Sequence, residues 1–161
     1  MKIRDFCSRK VITVAAAATL REASNLMRTQ HAGALVAVEP NDGEERPVGI
    51  ITDRDIVIAA LAQPGSYLDA LRVRDIMSAQ LAVAREDDGV FEATRTMREH
   101  GVRRLPVVSG DGALRGMVTF DDILSVVSTE MGNLAAALKR GTEREALQRR
   151  LDQLTSPEGR K

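Results

Sequence analysis

Two segments of this 161-residue chain place glycine, threonine and aspartate at one spacing: Gly49-Ile50-Ile51-Thr52-Asp53-Arg54-Asp55 and Gly116-Met117-Val118-Thr119-Phe120-Asp121-Asp122. Each runs through a short apolar stretch to its threonine and then into residues spaced as a helix, so each marks a strand-to-helix junction. A glycine, lacking Cβ, lets a ligand approach the strand backbone closely. A threonine where a helix begins stands beside unpaired amides that attract a phosphate. A carboxylate one turn into that helix only accepts hydrogen bonds, which suits the two hydroxyls of a ribose diol. The same Thr-x-x-Asp pattern is also a near capping box, in which the two side chains simply close the helix start. The residues alone leave both readings open.

Three arginines stand near these junctions. Arg54 adjoins Asp55, and Arg103 and Arg104 precede the apolar run Leu105-Pro106-Val107-Val108. The fork of donors on a guanidinium matches phosphate oxygens; pairing with surface Asp or Glu is the plainer use of the same side chain. The matching positions in the first half are Gly33 and Ala34, Pro106 becomes Val36, and Asp121 stands where Arg54 would. Two sites built on these junctions are therefore unequal in charge. Other chemistry lacks residues. Cys7, His31 and His100 have no metal-ligand spacing, and no serine or cysteine stands with histidine and carboxylate in a nucleophile arrangement. Cys7 aligns with Met77 and reads as a small buried hydrophobe, and both histidines fall near helix C-termini, where the dipole favours them. Neither a catalytic group nor a metal site is predicted.

The elements that position these residues occur twice. Ile3-Arg4-Asp5-Phe6-Cys7-Ser8 returns as Val73-Arg74-Asp75-Ile76-Met77-Ser78, and the same offset pairs Glu22-Ala23 with Glu92-Ala93 and Met27-Arg28 with Met97-Arg98. A contraction between the copies then brings Gly49 onto Gly116. In the first copy, residues 11–14 predict a strand of β-branched residues. Thr19 and Glu22 form a capping box opening a helix with Leu20, Ala23, Leu26 and Met27 on one face. Strands at 34–38 and 48–51 flank a polar turn at 40–45, and a helix at 53–61 closes the unit. The second copy repeats the order: Leu81-Ala82-Val83 as a strand, a helix over 89–99, a strand over 104–108, a turn at 110–112, a strand over 114–118, and a helix from Phe120. Between the copies Gln63-Pro64-Gly65-Ser66 breaks the chain and residues 67–71 predict a short helix.

The fold class is α/β (α+β): two β-α-β-β-α units, at 1–66 and 67–128, in pseudo-twofold arrangement. One such unit leaves an apolar sheet face uncovered, so the two must close on one another. A helical tail occupies 129–161. Met131, Leu134, Ala135 and Leu138 carry a stripe to a stop at Gly141. Thr142-Glu143-Arg144-Glu145 then opens a second helix with Leu147, Leu151 and Leu154 on one side, with disorder from Ser156 onward. That helix serves either as a cap on its own module or as a surface for a partner.

Composition narrows the partners. The 23 basic residues balance 23 acidic ones, so no basic field draws the chain to nucleic acid or an anionic membrane. Tryptophan is absent, which removes stacking platforms for single-stranded nucleic acid. Charge interrupts the start of the chain, and no apolar run approaches a membrane span, so no membrane insertion is expected. One cysteine forms no internal disulfide, which makes a cytoplasmic location the expectation.

The β-α-β-β-α order, the duplication, the run Gly-Val-Arg-Arg-Leu-Pro-Val-Val at 101–108 and the two Gly-x-x-Thr-x-x-Asp segments together resemble a tandem pair of cystathionine-beta-synthase (CBS) domains, a Bateman module, over roughly residues 1–128. The resemblance implies a non-enzymatic sensor that binds an adenosine-containing ligand between its two units: AMP, ADP, ATP, S-adenosylmethionine or a nicotinamide dinucleotide. No obligatory cofactor follows; the nucleotide is a regulatory ligand. Gly49, Thr52 and Asp55, with Gly116, Thr119 and Asp122, would contact ribose and phosphate; Arg54, Arg103 and Arg104 would meet phosphate beside Pro106. The backbone around Ile12, Thr13 and Ala82 would bracket the adenine. The resemblance further implies a homodimer. With no enzyme or transporter domain among these residues, the output is expected to act in trans on a protein partner, for which the 129–155 tail is the candidate surface. A constitutive dimeric adaptor that binds no nucleotide stays open beside this reading.

Overall fold

The computed structural model describes residues 1–62, 69–78 and 80–155. The first repeat runs β1 (Thr13–Ala15), α1 (Leu20–Gln30), β2 (Ala34–Asn41), β3 (Glu44–Thr52) and α2 (Asp53–Ala62). The second runs α3 (Val73–Ile76), β4 (Ala84–Arg85), α4 (Val90–His100), β5 (Arg104–Val108), β6 (Leu114–Thr119) and α5 (Phe120–Thr155). Each repeat forms its own three-stranded sheet, β1-β2-β3 and β4-β5-β6, with one parallel and one antiparallel pairing. A register shift recurs at the same place in each, between Ala37 and Val38 and between Val107 and Val108. Residues Met1–Asp122 make one compact unit and Ile123–Lys161 another.

Local sequence explains most of the element boundaries. Thr19 accepts the Glu22 amide while Glu22 accepts the Thr19 amide, the reciprocal capping that the sequence predicts. His31, in the left-handed conformation (φ 51°), closes α1 as Gly101 (φ 63°) closes α4. The chain reverses at Asp42 and Gly43, so β2 and β3 run on to Asn41 and Glu44, through the stretch predicted as a turn. Leu20, Ala23 and Met27 bury one face of α1 against Leu35, Ala37 and Ile51 of the sheet.

The repeats exchange their first residues. Ile3 and Arg4 donate backbone hydrogen bonds to Asp88 and Glu86 of the second repeat, and Val73 and Arg74 donate in the same way to Ala18 and Ala16 of the first. Ile3 and Val73 are both fully buried. Side chains reinforce both crossings: Lys2 and Arg4 reach Asp87 at 2.7 Å, and Arg72 donates to the Ala17 carbonyl at 3.2 Å.

Three expectations change. The strand predicted at Leu81-Ala82-Val83 is irregular, and β4 begins at Ala84. The first repeat shows why: Val36 donates to the Ile12 carbonyl and extends the ladder to Thr13, but its counterpart Pro106 has no N–H to give. Gly141 does not stop a helix and Thr142 does not open one, because α5 is continuous from Phe120 to Thr155. Gly141 keeps a negative φ, and the Thr142 hydroxyl donates back to the Leu138 carbonyl instead of capping. The short helix predicted at 67–71 does not form over its described part, residues 69–71, which make a turn and a bend. The break at Gln63-Pro64-Gly65-Ser66 and the disorder expected from Ser156 lie outside the described residues.

Candidate functional site

Both junctions form as the sequence places them, with Thr52 immediately before α2 and Thr119 immediately before α5. Asp55 Oδ2 accepts from the Thr52 amide (2.8 Å) and hydroxyl (2.6 Å), and the Asp55 amide donates to Thr52 Oγ1 (3.2 Å). Asp122 and Thr119 repeat this at 2.8, 2.7 and 3.2 Å. The capping reading is therefore realised at both ends.

That arrangement changes what the helix starts offer. The Asp53 amide donates to the Gly33 carbonyl and the Arg54 amide to Asp53 Oδ1, so every amide from Thr52 to Asp55 already has a partner. The expected free amides for a phosphate are not there at α2. What remains is Asp55 Oδ1, which accepts nothing from the described residues and has room for two donors.

The two glycines also serve a different end. A Cβ on Gly49 would lie 2.5 Å from Met77 Sδ and 3.0 Å from the Ser78 carbonyl oxygen. A Cβ on Gly116 would lie 2.7 Å from the Ser8 carbonyl oxygen and 3.0 Å from Cys7 Sγ. The space is occupied by the exchanged segment of the other repeat, not left for a ligand. Cys7 is half-buried there, and burial raises its thiol pKa, as befits a packing residue.

Thr52, Arg54 and Asp55 of the first repeat and Ala82, Arg103 and Arg104 of the second line one cleft of about 500 Å³. Ile50, Ser78, Gln80, Leu81, Gly101 and Val102 complete its wall. The sequence pointed to none of these six singly, although Gly101 and Val102 begin the Gly-Val-Arg-Arg run. None of Arg54, Arg103 and Arg104 pairs with a carboxylate among the described residues. The Arg103 guanidinium lies 5.8 Å from the centre of the Phe120 ring, whose amide donates to the Arg103 carbonyl. Because Pro106 lacks an N–H, no backbone amide among the described residues claims the Ala82 carbonyl.

A second, smaller pocket of about 160 Å³ joins Ile12, Arg104 and Thr119 with Lys10, Val11, Ala34 and Met117. Thr13 is held in β1 opposite Val36, and Pro106 is fully buried in β5. Thr13, Gly49, Pro106, Gly116 and Asp122 line neither pocket. No group of three His, Cys, Asp or Glu among the described residues is arranged to hold a metal ion. No helix formed by the described residues is long and apolar enough to cross a membrane.

Comparison with known proteins agrees with this architecture. The family described as CBS domain matches residues 3–62 and 73–129. The uncharacterized protein MK0525 of Methanopyrus kandleri is 36% identical over 143 residues, covering 89% of this chain and 71% of that protein. An uncharacterized 33.4 kDa protein in the ribosomal RNA operon of Thermofilum pendens is 41% identical over 123 residues, 76% of this chain but only 38% of the relative. Among solved structures, the CBS domain pair of protein MJ0100, in complex with 5'-methylthioadenosine and S-adenosyl-L-methionine, superposes with a TM-score of 0.65 at 26% identity, covering 81% of this chain and 98% of that one. The duplicated units, their paired sheets and these matches place the chain in the CBS domain family, as a protein with two copies of that domain.

Proposed function

We propose that this chain is a non-catalytic regulatory module that binds an adenosine nucleotide in the 500 Å³ cleft. One observation carries the reading: an aspartate with a free oxygen and three arginines without carboxylate partners, contributed by both repeats, meet around one cavity. Asp55 Oδ1 takes the ribose diol, the arginines take the phosphate, and the unclaimed Ala82 carbonyl accepts from the exocyclic amine of adenine. Three guanidiniums against one carboxylate favour an anionic ligand, so AMP, ADP or ATP ranks above the sulfonium-bearing S-adenosylmethionine. The adenosyl ligands of the MJ0100 pair support the adenosine half of the assignment. The smaller pocket at Thr119 has neither the volume nor the acidic residue for the same ligand, so one nucleotide binds per chain.

A ligand touching both repeats shifts the balance between their arrangements and so alters the surface shown to a partner. Val57, Ile58 and Leu61 on α2 and Phe91 on α4 are exposed apolar residues suited to a second copy of the module.

Thermal unfolding of nucleotide-free protein with AMP, ADP, ATP and S-adenosylmethionine, and with guanosine nucleotides as controls, tests this. A ligand at a hundred times its Kd stabilises by about 2.7 kcal/mol, or roughly 5 to 10 °C here. No shift with any adenosine ligand overturns the proposal. The reading as a constitutive adaptor, favoured by the complete capping of both helix starts, then stands in its place.

A further inference from the structure

Helix α5 carries a seam that nothing among the described residues of its own unit covers. Leu124, Val127, Met131, Leu134, Leu138 and Gly141 alternate three and four residues apart, and the five side chains are 38 to 75% exposed. This is the spacing of a two-helix seam. Leu147 lies nine residues past Leu138, about 180° round the helix at 100° per residue, so the seam ends before it.

We propose that this seam pairs antiparallel with the same seam of a second copy of this chain, over residues 127–145. Three features select the occupant and its direction. First, with the helices opposed about a twofold between Leu134 and Leu138, Leu134 meets the partner's Leu138 and Met131 meets the partner's Gly141. A glycine inside a helix costs about 1 kcal/mol relative to alanine, and a Cβ at 141 would meet nothing within 4 Å among the described residues. The partner's Met131 gives that glycine a packing reason. Gly132, off the seam, has none. Second, Glu130 and Arg144, exposed and flanking the seam, fall opposite each other across the two copies, and symmetry makes the ion pair twice. Third, a parallel pairing sets Glu145 against the partner's Glu145 at the seam's end, like charge on like. The antiparallel one sets it beside the partner's Val127, within 3.7 Å of its own Arg149. The pairing does not depend on the nucleotide site, and its test involves no nucleotide.

Two single variants of the full chain, Glu130→Cys and Arg144→Cys, each in a Cys7→Ser background, are mixed and mildly oxidised. The antiparallel seam gives the mixed disulfide, joining position 130 of one copy to position 144 of the other, and little of either same-site dimer. Like positions then lie about 18 Å apart at 130 and about 24 Å apart at 144, roughly 12 and 16 residues at 1.5 Å each. Same-site dimers without the mixed species mean a parallel pair and overturn the proposal. No cross-link beyond that of Thr129→Cys, a position off the seam, overturns it as well. Both positions are exposed, and circular dichroism of each variant confirms that the helix persists. An Arg144→Glu chain is expected to dimerise roughly tenfold more weakly in sedimentation, with recovery in the Glu130→Arg/Arg144→Glu chain. Failure to recover also overturns the pairing.

Discussion

Ser8 and Met117, from different repeats, exchange two backbone hydrogen bonds of 2.9 Å each. The reciprocal contact exists in the other half, where the Ser78 amide donates to the Ile50 carbonyl at 3.0 Å. Each repeat thus finishes the edge of the other's sheet with its own opening residues. The same crossing carries Ser78, Gln80 and Ala82 to the cleft beside Thr52 and Asp55. The exchange that closes the fold also brings both repeats to one cavity.

The two glycines at these crossings should differ in tolerance. Gly116→Ala drives a Cβ to 2.7 Å from the Ser8 carbonyl oxygen, which is fixed by its own hydrogen bond. Gly49→Ala meets chiefly the Met77 thioether, a flexible group that can swing aside. Urea unfolding should show Gly116→Ala destabilised by about 1–3 kcal/mol and Gly49→Ala by less. A Gly49→Ala/Met77→Ala chain should lose little beyond Met77→Ala alone, the remaining tight contact being the Ser78 carbonyl oxygen at 3.0 Å. Equal losses for the two glycines would contradict this account.

Pro106 can be tested as the reason β4 starts late. Pro106→Val restores the amide that its counterpart Val36 gives to Ile12, so β4 should lengthen toward Val83. Hydrogen exchange should show the new amide at position 106 protected. Because that amide would claim the Ala82 carbonyl, nucleotide affinity should fall by about tenfold, the value of one hydrogen bond of 1–1.5 kcal/mol. Protection with unchanged affinity would remove Ala82 from the adenine contact.

What the sequence made legible was local. Thr19 with Glu22, Thr52 with Asp55 and Thr119 with Asp122 are three-residue couplings whose geometry is settled within one turn, so pattern and structure coincide. The use of Gly49 and Gly116 was not legible, since a missing Cβ serves a ligand or a neighbouring backbone equally well. The crossing of Ile3 and Val73 was hidden because its hydrogen bonds are made by backbone groups, which leave no side-chain pattern. Gly141 misled because glycine permits a left-handed stop without requiring it, and the residues around it favour continuing the helix.

Acid should loosen the crossing at Asp87. The Lys2 hydrogen bond, with Arg4 beside it, holds this carboxyl below its ordinary pKa. A depressed folded-state pKa gives stability that is present above the unfolded value, about 3.9, and lost as pH falls through the folded one. Asp87→Asn should therefore be less stable than the parent near neutrality and converge with it in acid. Salt should shrink the difference, as the groups are exposed. A gap between the two chains that persists once acid has protonated this carboxyl in the folded state too would assign the effect to something other than its charge.

Asp55→Asn separates the cap from the ligand contact. The amide oxygen can still accept from the Thr52 amide and hydroxyl, so α2 keeps its start and the ligand-free protein should unfold within about 0.5 kcal/mol of the parent. The atom left toward the cleft becomes an NH₂ group, a donor where the ribose hydroxyls need an acceptor. Loss of charged hydrogen bonds of about 1.5–3 kcal/mol predicts AMP affinity about 10- to 100-fold weaker by calorimetry. Asp122→Asn makes the same change at a junction whose carboxylate lines neither pocket, and should leave affinity unaltered at one nucleotide per chain. Equal losses at the two aspartates would mean that both junctions bind. No loss at Asp55 would return its carboxylate to capping alone.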